Sequence, residues 1–372
     1  MDQERISLMA LHMVPGVGNF FVKQLVSYCG SAEQVFKQSK ARLLKIPGIG
    51  GITADAIHQG KTFDIAEQEF RRAEREDTEV LFFTDKAYPA RLKNIEDAPT
   101  LLYVKGNTNL NKQKVVAIVG TRQATAYGKA QVERIMEGLV PHQALIISGL
   151  AYGIDIHAHK QALRFGLPTI GVLGSGMDVM YPAGHLDTAR KMMNHGGLIT
   201  ENHFGTKPDA HNFPARNRII AGLCDALVVV EAAQKGGALI TAEIANSYNK
   251  DVFAIPGNIG QTYSEGCNKL IKINKASLLT SVNDLEYIMN WNTSVEKAEP
   301  QLTLDLPQFE EDEQMVLNVL HQRNGPMMID EISLTTGMAQ GLLASLLLTL
   351  EFKNTVVSLP GKMYKLGRQG FR

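Results

Sequence analysis

Between residue 114 and about residue 290 the sequence alternates between β-rich and helix-patterned runs joined by short links. No other feature constrains the fold as much. The predicted strands are Val115–Val119, Ala144–Ile147, Thr169–Leu173, Leu198–Thr200, Leu227–Val230 and Val252–Ile255. The helical runs fall near 126–140, 154–165, 184–194, 214–223, 237–249 and 267–274. Such alternation builds parallel βαβ units. Val115-Val116-Ala117-Ile118-Val119 is apolar on both faces, as a strand buried between two helical layers must be. The fold class is α/β, a doubly wound parallel sheet.

The remaining chain divides around this block. Residues 1–75 read as helical and carry a short internal repeat, Val14-Pro15-Gly16-Val17-Gly18 and Ile46-Pro47-Gly48-Ile49-Gly50. Each copy precedes an amphipathic run, with Phe20, Phe21 and Leu25 in the first and Ile52, Ala56 and Ile57 in the second. The pattern is that of paired helix-hairpin-helix units, whose glycines permit a tight turn and let backbone N–H groups approach a phosphate. The same turn could simply join two helices. A connecting segment, 76–113, holds a short strand at Val80–Phe83 and a turn at Tyr88-Pro89, and completes a domain spanning 76–290. An acidic linker covers 291–310. Beyond it, 311–372 reads as three helices and a hairpin, the winged helix pattern.

With 372 residues, two to three domains are expected. Lys plus Arg and Asp plus Glu both number 38, which excludes a polybasic coat but not a local basic patch. The balance is uneven along the chain: 296–313 carry seven acids against one lysine, and 352–372 carry five bases and no acid. Cys29, Cys224 and Cys267 fit no metal or disulfide spacing, which points to a reducing compartment. The first residues lack the apolar run of a signal peptide, and Leu342–Leu350 is too short to span a bilayer. A cytoplasmic protein is expected.

Ligands of open parallel sheets bind at the carboxyl ends of the strands. The residues there are Gly120-Thr121-Arg122, Ser148-Gly149, Gly174-Ser175-Gly176, Glu201, Glu231 and Pro256-Gly257. Accessible backbone N–H groups and converging helix N-termini favour an anion, most simply phosphate. The dinucleotide fingerprint and the Walker pattern are both absent, so neither NAD nor ATP is indicated and no cofactor is expected. Pro214 suits the first helical position, and Ile219, Ile220 and Leu223 supply an apolar face. Arg216 and Arg218 then fall in the first turns, where the helix dipole disfavours cations. One is expected to face a ligand and the other to pair with Glu201 or Glu231. Phe213 could stack on a base or serve as a hydrophobic staple. Lys235-Gly236-Gly237 opens another helix and suits phosphate, or a solvated loop tip. His157 and His159 lack further ligands at metal spacing, and no metal is expected.

Together these residues resemble the DNA-processing protein DprA (Smf) family of bacterial natural transformation. The family run covers most of 88–280, including Ala117-Ile118-Val119-Gly120-Thr121-Arg122, Ser148 to Asp155, Val172 to Asp178, Tyr181-Pro182, Phe213 to Leu223 and Gly266 to Ile271. The resemblance implies an extended Rossmann-like domain that binds single-stranded DNA as a homodimer. It also implies loading of RecA recombinase onto incoming DNA, beside single-strand binding protein and without catalysis. Carried over by motif, the DNA site comprises Gly120, Thr121, Arg122, Ser148, Gly149, Gly174, Ser175, Gly176, Phe213, Arg216, Asn217 and Arg218. Lys235, Gly236 and Gly237 join it on their own chemistry. Relatives place a lysine three residues before the phenylalanine; here that residue is Ala210, and Lys207 is the nearest base.

Two other functions fit parts of the pattern. A nucleoside-monophosphate phosphoribohydrolase would share the fold group, with Glu201, Glu231 or Glu243 as trial carboxylates, although Gly236-Gly237 precedes Thr241 and Glu243 at the wrong spacing. A transcription regulator would use the winged helix, but its third helix, Met338–Leu350, has no Lys or Arg to attract phosphates.

Overall fold

The computed structural model describes residues 2–107, 109–209, 212–291, 309–323 and 325–367. Most of the acidic linker, together with Ala210, Arg368 and Arg372, lies outside the described residues. The chain divides into two units, Met1–Thr293 and Ser294–Arg372.

The first unit is built on a nine-stranded sheet: β1 (Glu79–Phe82), β2 (Leu101–Gly106), β3 (Val115–Val119), β4 (Leu145–Gly149), β5 (Thr169–Val172), β6 (Gly196–Thr200), β7 (Ala226–Val229), β8 (Asp251–Ala254) and β9 (Ser277–Leu278). Their spatial order is β1-β2-β6-β5-β4-β3-β7-β8-β9. From β6 to β9 every pairing is parallel, as expected. The sequence reading missed β2 and β9, and β1 and β2 depart from the parallel pattern: β2 pairs antiparallel with both β1 and β6.

Side-chain alternation along β3 explains the two helical layers. Val115, Ala117 and Val119 enter one core with Ile219, Ile220 and Leu223 of the Asn212–Leu223 helix and Ala242 of the Gly237–Ser247 helix. Val116 and Ile118 enter the other with Val132 and Met136 of the Ala126–Leu139 helix and Ala158 of the Ile154–Arg164 helix.

Residues 2–75 are predominantly helical and pack within this unit. Leu8, Met9, Leu11, Val22 and Leu25 share a third core with Val80, Phe82, Leu101 and Tyr103. Gly16 and Gly48 hold φ of 82° and 80°, so the two repeat turns have the same left-handed step. Val14, Val17, Ile46 and Ile49 are buried, whereas Phe20 and Ile52, expected on the apolar faces, point to solvent.

The second unit has helices Glu311–Arg323, Ile329–Thr336 and Gln340–Phe352, followed by strands β11 (Val356–Leu359) and β12 (Met363–Leu366). A further short strand that the sequence did not reveal, β10 (Met327–Met328), pairs with β12. The second helix stops at Gly337, which takes φ 71°. Leu343, Leu347 and Leu350 fill the core, so the third helix spends its regular apolar spacing inward. No single helix among the described residues is long and apolar enough to cross a membrane. All three cysteines are free.

Candidate nucleic-acid interface

The sheet reverses its winding at β3. From there the chain runs outward through β4 and β5 to β6, then returns to lay β7 on the other side of β3. A crevice opens beyond the strand ends at such a reversal. A groove of about 830 Å³ lies there, walled by Gly120–Gln123 after β3 and by Ala232, Ala233 and Lys235 after β7. Its described charged lining is Arg122, Arg216 and Lys235 against the single carboxylate of Asp155.

The Gly120–Arg122 turn is seated on the N-terminus of the Ile154–Arg164 helix. Ile154 N–H donates to Thr121 O at 3.1 Å. Gly120 is explained by packing, since a Cβ there would sit 2.5 Å from Ile154 Cγ1. The turn thus carries Arg122 to the groove, where its guanidinium lies 5.8 Å from the Phe213 ring centroid. Gly174 makes room for that ring, as a Cβ there would meet Phe213 Cδ1 at 3.0 Å.

Arg216 forms the buried floor, only 7% exposed. Its Nη1 donates to Val172 O, and its Nε has no partner among the described residues. A Cβ on Gly149 would lie 2.5 Å from Asp155 Oδ2 and 2.6 Å from Arg216 Nη1, so the buried charges converge where β4 ends. Burial pushes the Asp155 carboxyl up to about 6, while Arg216, the Ala151 backbone, Ser148 and Arg122 pull it down. Burial likewise depresses the Arg216 pKa, against the pull of Asp155. Gly149→Ala is expected to force these groups apart and destabilise the fold by about 1–3 kcal/mol; urea denaturation measures it, and an unchanged midpoint contradicts the packing.

Arg218 takes the other role expected for the pair. It bonds Glu201 and donates to Asp97 O at 2.6 Å, on the opposite side of its helix. Asn19 reaches the same Glu201 carboxylate at 3.4 Å, tying the first repeat to this helix. Asn217, Gly236 and Gly237 line the groove, and a Cβ on either glycine would meet only open space. Four further expected residues do not line the groove. Ser148 is buried and donates to Ile118 O at 2.6 Å, and Ser175 donates to Val179 O at 2.6 Å. Gly176 donates from its backbone to Thr206 O at 2.9 Å, and Lys207 is exposed outside the groove lining.

Family models match most of the chain: DNA recombination-mediator protein A over residues 79–290, the DprA winged helix domain over 297–362 and a SAM-like helix-hairpin-helix tandem over 8–60. The chain belongs to the DprA/Smf family.

Among DprA/Smf relatives, protein Smf of Synechocystis is 31% identical over 98% of this chain and 99% of its own length. DNA processing protein DprA of Streptococcus pneumoniae is 45% identical over 54% of this chain and 71% of its own. The X-ray structure of the S. pneumoniae DprA matches with a TM-score of 0.66 at 33% identity, covering 77% of this chain and 98% of that one. DNA processing protein A from Helicobacter pylori, solved for its single-stranded DNA binding mode, matches at 0.52 and 27%, over 57% and 96%.

The three trial carboxylates of a hydrolase are all engaged in this DprA/Smf chain. Glu201 holds Arg218, Glu231 accepts from Thr125 N at 3.0 Å and Thr125 Oγ1 at 2.5 Å, and Glu243 pairs with Lys275 at 2.6 Å. His159 is also committed: its ring bridges Gly149 O at 2.8 Å and Thr169 Oγ1 at 2.7 Å. Sequence reasoning missed Asp155, Tyr181, Ile240 and Tyr263 as groove-lining residues. Asp155 carried one readable signal, an acid in the first turn of a helix, but that position is ordinarily explained by the helix dipole.

Proposed function

We propose that this chain binds single-stranded DNA in the groove at the sheet reversal, without catalysing a reaction on it, and helps load RecA recombinase onto the strand during DNA uptake. The observation that carries the binding step is Arg216, a buried guanidinium with an unpartnered Nε at the floor of a groove whose lining cations outnumber its carboxylates. A buried cation with incomplete compensation favours an anionic ligand. Arg122 and Lys235 supply further positive charge for the phosphates, and Phe213 supplies a ring for a base. The H. pylori relative that binds single-stranded DNA supports the choice of ligand. The RecA step, the homodimer, encounter with single-strand binding protein and a cytoplasmic location rest on family membership.

Binding to oligo-dT is expected to weaken linearly on a log–log salt plot, with each phosphate neutralised contributing about 0.7 to the slope. Arg122→Ala is expected to reduce the slope by about that amount. Fluorescence anisotropy at several salt concentrations measures both, and salt-independent binding overturns the reading. For the RecA step, the protein is expected to speed RecA filament formation on DNA already coated with single-strand binding protein; an unchanged rate removes that step alone. Release of free base from nucleoside monophosphates would overturn the non-catalytic reading.

A further inference from the structure

We infer that the third helix of the second unit, Gln340–Phe352, joins two copies of this chain, the helices pairing antiparallel about a two-fold axis at Ser345. The inference is independent of the single-strand reading.

The helix is apolar on two sides. Leu343, Leu347 and Leu350 are fully buried in the core of their own unit. On the opposite side Leu342 is 50% exposed, Leu348 54% and Phe352 79%. Single exposed apolar residues are ordinary, but three on one side of one helix make a patch of the kind that marks an interaction surface. The patch does not suit a nucleic acid, because it offers phosphates no cation. The one charged residue in the helix is Glu351, whose carboxylate accepts from Ser358 Oγ at 2.6 Å. Lys353, just beyond the helix, is taken up by Glu313 at 2.7 Å.

A second copy is the occupant because the patch is complementary to itself. Outward from Ser345 the side chains run in matching order. Three positions away on either side stand Leu342 and Leu348, four away the small Gly341 and Thr349, and seven away Met338 and Phe352. A two-fold contact has this form, since wherever residue i meets residue j, j also meets i. Pairing about Ser345 sets Leu342 of each copy on Leu348 of the other, and Phe352 over the end that holds Gly341 and the half-buried Met338. A Cβ added to Gly341 would meet open space, so that end has room for a ring. The small Ser345 at the crossing lets the helix axes approach closely. A charge on this side would face its own like near the axis, and the side carries none.

The test is disulfide cross-linking of the full chain carrying Cys29→Ser, since Cys224 and Cys267 are buried. Adding Ser345→Cys is expected to give a disulfide-linked dimer on oxidation, because a residue on the axis meets its own copy. Leu342→Lys and Leu348→Asp are each expected to slow that cross-link about tenfold or more, as two leucine contacts are lost per pair. Combining the two is expected to restore it, because opposite charges then meet across the axis. Within one copy these positions are six apart and do not touch. Recovery in the combination also shows that the single variants had not simply unfolded. Failure of Ser345→Cys to cross-link overturns the pairing, as does failure of the combination to recover. Lys362→Cys, on the exposed hairpin, cross-linking as fast as Ser345→Cys reduces the result to random collision and overturns it too. Weaker duplex DNA binding by Leu348→Asp, with no cross-link at Ser345→Cys, makes the helix a DNA reader instead.

Discussion

Replacing Arg216 by alanine while Asp155 remains is expected to remove about 3–5 kcal/mol of unfolding free energy, because it strands a buried carboxylate without its counter-charge. Both residues are under one tenth exposed, and both converge on Gly149. The interaction is read most cleanly from a pair of variants. Arg216→Met combined with Asp155→Leu removes both charges and keeps the volume, so it is expected to regain most of the stability lost by Arg216→Ala. Urea denaturation of parent, single and double variants gives the answer. A single variant as stable as the parent, or a double variant no better than the single, contradicts a coupled buried pair. The double variant should also bind single strands more weakly than the parent. In that case the pair is retained for the ligand rather than for stability.

Acid is expected to weaken the fold well before the surface carboxylates titrate. Burial holds the His159 imidazole down to about 4 and likewise the His12 imidazole to about 4, the latter with help from His203. Each ring is neutral when folded and would take up a proton at an ordinary histidine pKa when unfolded. The unfolded state therefore binds more protons between about pH 6.5 and 4, and stability falls as pH falls through that window. A displacement of this size corresponds to about 3 kcal/mol per ring once fully lost. Asp155 works in the opposite direction. Its folded pKa of about 6 lies above the unfolded value, so its burial becomes less unfavourable as pH drops from 6 toward 4. It offsets roughly one of the two rings, and a net loss of about 3 kcal/mol by pH 4 is expected. Urea midpoints from pH 7.5 to 4.5 measure it. His159→Gln should flatten the profile, and a parent midpoint independent of pH contradicts the assignment.

The elements that were legible in sequence are those whose own pattern sets their environment. β3 is apolar at five successive positions, so it could only lie between two layers, and all five of its residues are buried. The helices from Ala126 to Lys272 follow from short links and regular apolar spacing. β2 was hidden because its partners are β1 and β6, and the antiparallel pairing with distant β6 leaves no local trace. β9 has only two residues and so no period to read. Phe20 and Ile52 have core-forming side chains, yet the helices bearing them bury other positions, Val22 and Leu25 in one and Ala54 and Ile57 in the other. At the site, that Arg216 and Arg218 point different ways was readable because residues two apart on a helix face opposite sides. Which of them met the groove was not readable, because that depends on where Glu201 and Asp155 arrive from other strands. The glycines also have a packing reason that the sequence did not show. A Cβ at Gly120 would meet Ile154, although Gly120 lines the groove, and one at Gly149 would meet Asp155 and Arg216.

The groove draws its walls from segments as far apart in the chain as Val119 and Tyr263. On a ribosome, the strands from β1 to β6 can pair into a continuous half-sheet before any crevice exists, because the crevice needs β7 laid against β3. Contacts of such large sequence separation form late and slowly. The last wall, at Tyr263, arrives only after β8 has been made. A growing or truncated chain therefore carries the arginine loop without its groove, whose walls are all made once Tyr263 has been added, one short strand before the sheet itself is complete.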